Sequence, residues 1–177
     1  AFYTGHRWRN GINEDEGNLQ VQCMAVSSDG VTFEKHGVVV EGPADLLHFR
    51  DPKVWRAEGT WWMVFGACSA RNRGEVWLYR SDNLTDWVFD RILYRDPNRD
   101  SFMLECPDFF PLGDHWVLLI CPMGHKPRGH TGRNGHHAGY VVGEWTPGGD
   151  FSPLTEYRHL DWGHNFYAPQ TLSLIHI

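Results

Sequence analysis

Apolar and polar residues alternate with a period of two along most of the chain. Gln20-Val21-Gln22-Cys23-Met24-Ala25-Val26-Ser27, Thr60-Trp61-Trp62-Met63-Val64-Phe65-Gly66, Glu75-Val76-Trp77-Leu78-Tyr79-Arg80 and His115-Trp116-Val117-Leu118-Leu119-Ile120 each read as a strand. Their β-branched and aromatic content, short length and flanking Gly, Asp and Pro argue against helix. No stretch of about twelve residues carries the stripe a surface helix needs. The pattern predicts an all-β chain.

The strands recur at a regular interval. Ser28-Asp29-Gly30-Val31-Thr32-Phe33 and Ser81-Asp82-Asn83-Leu84-Thr85-Asp86-Trp87 look like one turn used twice, about 53 residues apart. Asp51-Pro52-Lys53-Val54-Trp55 before one strand is echoed by Cys106-Pro107-Asp108-Phe109-Phe110 before another, about 54 residues on. Four short strands per about 50 residues is the size of a β-propeller blade. The chain is then expected to hold about three blade-equivalents, partial at the ends. Arg71-Asn72-Arg73-Gly74 reads as a tight polar connection, and the His-rich stretch from His125 to His137 as a solvated surface loop. Tyr167-Ala168-Pro169-Gln170-Thr171 reads as the start of a further strand. The expected division is a partial propeller over 1–171 and a non-native tail over 172–177, because Leu172-Ser173-Leu174-Ile175-His176-Ile177 matches the translation of a sequencing adapter.

Composition narrows the classes. A net charge of −6 over 177 residues lacks the basic footprint of a nucleic-acid binder. No apolar run approaches the roughly 18–20 residues of a spanning helix. Neither a nucleic-acid nor a membrane partner is expected, and oligomeric state is not legible. Cys23, Cys68, Cys106 and Cys121 follow no paired-ligand spacing, so they read as reduced thiols and point to a cytoplasmic setting, with secretion the alternative. No phosphate-cradling Gly-rich loop, HExxH or compact ligand cluster occurs, so neither cofactor nor metal is expected. Nine Trp are unusual, and indole faces suit sugar rings.

The first strand of a propeller blade lines the central channel. On the repeat alignment, Asp51 and Glu105 occupy matching places in neighbouring blades and face one funnel. Paired carboxylates across a cleft suit glycoside hydrolysis, one giving a proton and the other stabilising or attacking the anomeric carbon. Arg50 beside Asp51 supplies donors and keeps its neighbour ionised. Asp-Pro and Glu-Cys-Pro at strand starts can equally be plain turn residues.

Phe49-Arg50-Asp51-Pro52-Lys53-Val54-Trp55, Glu105-Cys106-Pro107-Asp108-Phe109-Phe110 and Asn165-Phe166-Tyr167-Ala168-Pro169-Gln170-Thr171 resemble glycoside hydrolase family 32, which contains invertases, sucrose-6-phosphate hydrolases, levanases and inulinases. Tyr3-Thr4-Gly5 resembles its aromatic-Ser/Thr-Gly segment. The resemblance implies a five-bladed propeller and retaining hydrolysis of β-fructofuranosides, with a small carbohydrate as substrate. It implies Glu105 as general acid/base, Asp51 as transition-state stabiliser and Arg50 assisting it. Cys106 would tune the acid/base, Tyr3 and Thr4 would line the fructosyl pocket, and Tyr167 would approach it from a later blade. Leu104 and Asn165 depart from the family's usual Trp or Phe and Asp. The family's nucleophile, an Asp in an Asn-Asp-Pro-Asn-Gly-type segment, has no match here; Asp96-Pro97-Asn98-Arg99 shares only part of the lettering. The nucleophile is expected before residue 1, and the chain alone is expected to be inactive. A non-catalytic carbohydrate-binding propeller and an arabinanase- or xylosidase-type propeller glycosidase are the alternatives.

Overall fold

The computed structural model describes residues 1–44, 46–69, 72–98 and 100–172. Arg71 of the polar connection, Arg99, and residues 173–177 of the expected tail lie outside the described residues. Three antiparallel sheets follow one another along the chain. The first contains β1 (Phe2–Trp8), β2 (Asn18–Val26) and β3 (Glu34–Glu41), with one short 3-10 turn at Glu14–Glu16. The second contains β4 (His48–Ala57), β5 (Thr60–Ser69), β6 (Arg73–Ser81) and β7 (Val88–Arg95). The third contains β8 (Met103–Leu112), β9 (His115–Met123) and β10 (Gly139–Glu144). Its outer strand comes in two pieces, β11 (Ser152–Pro153) and β12 (Arg158–His159), paired with opposite ends of β10. The four strands read from alternation all form, and the all-β expectation holds.

The repeat is sharper than its lettering. Ser27 Oγ accepts from the Asp29 and Gly30 amides, and Asp29 Oδ1 from those of Val31 and Thr32. Ser81 Oγ accepts from Asn83 and Leu84, and Asn83 Oδ1 from Thr85 and Asp86. Gly30 and Leu84 both take positive φ, 73° and 71°. Ser27, not Ser28, therefore matches Ser81, and the offset is 54 residues rather than 53. Ladder irregularities agree: β2 shifts register at Gln22/Cys23 and Met24/Ala25, and β6 at Val76/Trp77 and Leu78/Tyr79. Sheet one thus takes the places of β5, β6 and β7. The innermost place, held by β4 in the second sheet, has no counterpart among the described residues.

Two apolar cores form where adjacent sheets face each other. Phe49, Met63, Phe65, Tyr79 and Val40 fill the first-to-second interface, with Trp77 and Trp87 packed against them. Trp62, Leu78, Leu104, Phe109, Leu118 and Trp145 fill the second-to-third, flanked by Trp55 and Trp116. Six of the nine Trp thus belong to the cores between blades. The aromatic excess is blade packing, which corrects its reading as sugar-cleft lining. Close approach of the sheets needs Gly66: a Cβ there would lie 2.1 Å from the Leu104 carbonyl oxygen.

The His-rich loop is more than a solvated surface. His137 is 2% exposed, its Nδ1 lies 2.8 Å from the Tyr157 hydroxyl, and the His159 and His125 rings lie 4.3 and 5.0 Å away. Burial first, then His159, His125 and His136, pushes the His137 imidazole down to about 4. The native state therefore keeps this ring neutral, while the unfolded chain protonates it near the ordinary value of about 6.5. Stability is complete above that value and falls as the pH drops from about 6.5 to about 4, by up to about 3 kcal/mol. Urea midpoints measured from about pH 7 to pH 5 should decline, and His137→Gln should flatten the decline. An unchanged slope in that variant removes His137 as the cause.

Candidate active site

Both candidate carboxylates sit at a break of the strand ladder, Asp51 inside it and Glu105 as the last paired residue before it. Between Arg50↔Gly66 and Lys53↔Val64, β4 leaves its register with β5; between Glu105↔Cys121 and Asp108↔Leu119, β8 leaves its register with β9. In each bulge the residue before proline is left-handed, Asp51 at φ 67° and Cys106 at φ 49°. That conformation costs a non-glycine residue on the order of 1–2 kcal/mol. The device recurs at Ala168, φ 55°, before Pro169. Arg50 and Glu105 are the last paired residues before each bulge, with Tyr167 in the same place before Ala168-Pro169; Asp51, Cys106 and Ala168 follow as the left-handed residues. Asp51 and Glu105 are therefore not equivalent, as their lettering suggested: Glu105 matches Arg50, and Asp51 matches Cys106, 55 residues on.

Equivalent positions clasp each other around the axis. Arg50 donates from Nε (3.0 Å) and Nη2 (2.6 Å) to Glu105 Oε1, and Tyr167 donates its hydroxyl to Glu105 Oε2. One level on, the Cys106 amide donates to Asp51 Oδ2 at 3.0 Å, with the Cys106 thiol 3.6 Å from the same oxygen. Arg50 Nε lies 3.9 Å from Asp51 Oδ2. The arginine thus hydrogen-bonds Glu105, not the neighbouring Asp51 that sequence adjacency indicated. His48 Nδ1, 2.8 Å from Arg50 Nη1, and Met123 Sδ complete its setting. Asp51 keeps 29% of its side chain exposed and Glu105 17%, so both remain reachable from solvent.

Three residues of the first sheet hold Asp51 from behind. The Thr4 hydroxyl accepts from the Asp51 amide at 3.0 Å and itself donates to Gln22 Oε1. Fully buried Gln22 donates to the Phe49 carbonyl at 2.8 Å, and Gln20 Oε1 accepts from the Phe49 amide at 2.7 Å. Sequence reasoning passed over both glutamines. Their signal is polarity inside an apolar strand: a buried amide side chain is retained where it has partners. Tyr3 is brought beside Cys23, its partner in the β1–β2 ladder.

Burial, then the Glu105 carboxylate, pushes the Tyr167 phenol well above its usual range, so it stays a donor. The Cys106 thiol is also pushed up, by its hydrogen bond with Cys121, by burial and by the Asp51 carboxylate. It acts as a neutral donor rather than a nucleophile. Residues 167–171 form no strand among the described residues, although the sequence reads as one. Lys126, Arg128 and Arg133 lie in the His-rich loop, where Arg128 is paired with Asp100 and Arg133 with the Gly129 carbonyl. Among the described residues no group of three His, Cys, Asp or Glu converges to hold a metal.

The first strands of two neighbouring blades bring two carboxylates and an arginine together, an arrangement that suits glycoside hydrolysis. Comparison with known proteins gives the family: residues 1–174 match the glycosyl hydrolases family 32 N-terminal domain, and the chain belongs to that family. It is 47% identical over 170 residues to a sucrose-6-phosphate hydrolase of Escherichia coli, covering 96% of this chain and 36% of that protein. It is 44% identical to a raffinose invertase of Escherichia coli, covering 97% of this chain and 36% of the relative. A Bombyx mori β-fructofuranosidase, solved as a mutant with sucrose, superposes with a TM-score of 0.87 at 35% identity. That match covers 97% of this chain and 37% of the silkworm enzyme. The chain thus spans little more than a third of its curated relatives. The family's domain is a five-bladed β-propeller, of which these residues supply three sheets.

Proposed function

We propose that the full-length protein hydrolyses terminal β-D-fructofuranosides by a retaining double displacement. Glu105 is the general acid/base, Asp51 the transition-state stabiliser, and the nucleophile is an aspartate on the innermost strand of the first blade. In the first step Glu105 gives its proton to the glycosidic oxygen while the nucleophile bonds to the fructosyl anomeric carbon and the leaving sugar departs. In the second, Glu105 takes a proton from water, whose oxygen displaces the nucleophile and frees fructose. Arg50 and Tyr167 hold Glu105, Cys106 and Thr4 hold Asp51, and Tyr3 and Thr4 flank the fructosyl pocket. The observation that supports this reading most is the clasp of Arg50, Glu105 and Tyr167 beside that of Asp51 and Cys106.

The substrate is sucrose or sucrose 6-phosphate; the two Escherichia coli relatives are named for sucrose 6-phosphate and for raffinose. Four free thiols suit a reducing, cytoplasmic setting. Comparing the full-length protein on sucrose, sucrose 6-phosphate and levan tests the class. Activity on none of them contradicts it. The 177-residue chain alone should release no fructose from sucrose, because it carries two of the three carboxylates. Measurable release by the pure chain would sink the division of labour proposed here.

A further inference from the structure

A buried ion pair lies one layer beneath the acid site, and the proposed hydrolysis does not use it. Lys53 on β4 and Asp108 on β8 hold equivalent places, two residues past the left-handed position of each bulge. The Asp108 side chain is completely buried and that of Lys53 is 24% exposed. Lys53 Nζ lies 3.1 Å from Asp108 Oδ1 but outside hydrogen-bonding angle, so the contact is ionic. The hydrogen-bonding capacity of both goes elsewhere, to a single residue. Lys53 Nζ donates to the Thr171 carbonyl at 2.6 Å, and Asp108 Oδ2 accepts from the Thr171 amide.

Thr171 is thus gripped at both ends of its backbone by two different blades. The chain just before it reaches the acid site through three more contacts. Gln170 Nε2 donates to the Cys106 carbonyl at 3.1 Å, the Ala168 amide to Cys121 Sγ at 3.3 Å, and the Tyr167 hydroxyl to Glu105 Oε2. Among the described residues no ladder pairs 167–171, and it is these side-chain contacts that set where Tyr167 stands. A buried ion pair is a poor source of stability, since desolvation offsets most of the attraction. Its worth here is geometric.

We infer that Lys53 and Asp108 are positioning residues, which clamp Thr171 and thereby fix the Tyr167 hydroxyl on Glu105. This rests on the fructosidase reading. A displaced Tyr167 leaves Glu105 with the Arg50 contacts alone, altering both its orientation and the pH at which it exchanges its proton.

The test uses the full-length protein with Asp108→Asn, Lys53→Met, Lys53→Arg and the double variant Lys53→Met/Asp108→Leu. The single charge-removing variants should lower kcat about tenfold or more while KM stays within about threefold. The limb of the kcat pH profile governed by Glu105 should move, and Lys53→Arg should keep most of the activity. An apolar pair of similar volume is commonly as stable as a buried ion pair. The double variant should therefore melt near the wild-type temperature yet keep the low kcat and displaced limb. Recovery of kcat together with stability in the double variant, or a wild-type kcat and profile in the single variants, overturns the positioning role. An inactive wild-type protein overturns the fructosidase reading itself, and this inference with it.

Discussion

Glu105→Gln in the full-length protein should lower turnover of sucrose by about a hundred- to ten-thousandfold, the usual worth of a positioned general acid. The side chain keeps its size, and its oxygen can still accept from Arg50 Nε and Nη2. Packing is therefore preserved while the exchangeable proton is lost. The loss should depend on the leaving group. A sugar alkoxide needs protonation as it departs, whereas an aryloxide leaves with little help. Turnover of an aryl fructoside should then fall far less in the first step, and the deficit should move to hydrolysis of the intermediate. Equal losses for both donors would remove Glu105 from the acid role. The measurement is a paired set of kcat/KM values on one preparation.

Asp51→Asn should cut turnover on every fructoside, by about a thousandfold. Hydroxyl contacts that strengthen in the transition state contribute several kcal/mol, and asparagine offers a neutral acceptor where an anion is needed. The substitution is structurally mild. Asn is among the few residues that tolerate the left-handed backbone that Asp51 adopts at φ 67°, and its oxygen can still accept from the Cys106 amide. Alanine would lose that acceptor and add strain, confusing stability with catalysis. Because Asp51 assists both donor classes alike, its loss should be flat across leaving groups, the opposite signature to Glu105→Gln. Near wild-type kcat in a folded Asp51→Asn protein would take this residue out of the site.

Strands and blades were legible because a half-buried sheet forces a period of two, and a blade repeats that signal at fixed length. The register between blades was legible in the proline lettering, Asp51-Pro52 over Cys106-Pro107, but matching the two acids displaced it by one residue; the ladder sets Glu105 against Arg50. Left-handed Asp51, Cys106 and Ala168 carry no glycine to announce them. Tryptophan misled for a different reason: an aromatic strand signal does not say which face is buried, and six indoles went between blades. The Lys53–Asp108 pair and the Gln20 and Gln22 latches act across sequence separations of 27 to 118 residues. Local pattern does not report such contacts. The motif letters name the candidate residues; how those residues hold one another is set by the fold.

The central claim is that Glu105 serves a retaining displacement as both acid and base. Glu105→Ala in the full-length protein, given an aryl β-fructofuranoside and sodium azide, tests it directly. Without a base the intermediate waits for water, but azide needs no proton removed before attack. Azide should therefore raise turnover and yield β-fructofuranosyl azide, its configuration retained through two displacements. Absence of the azide adduct, or formation of the α-anomer, would contradict the assignment.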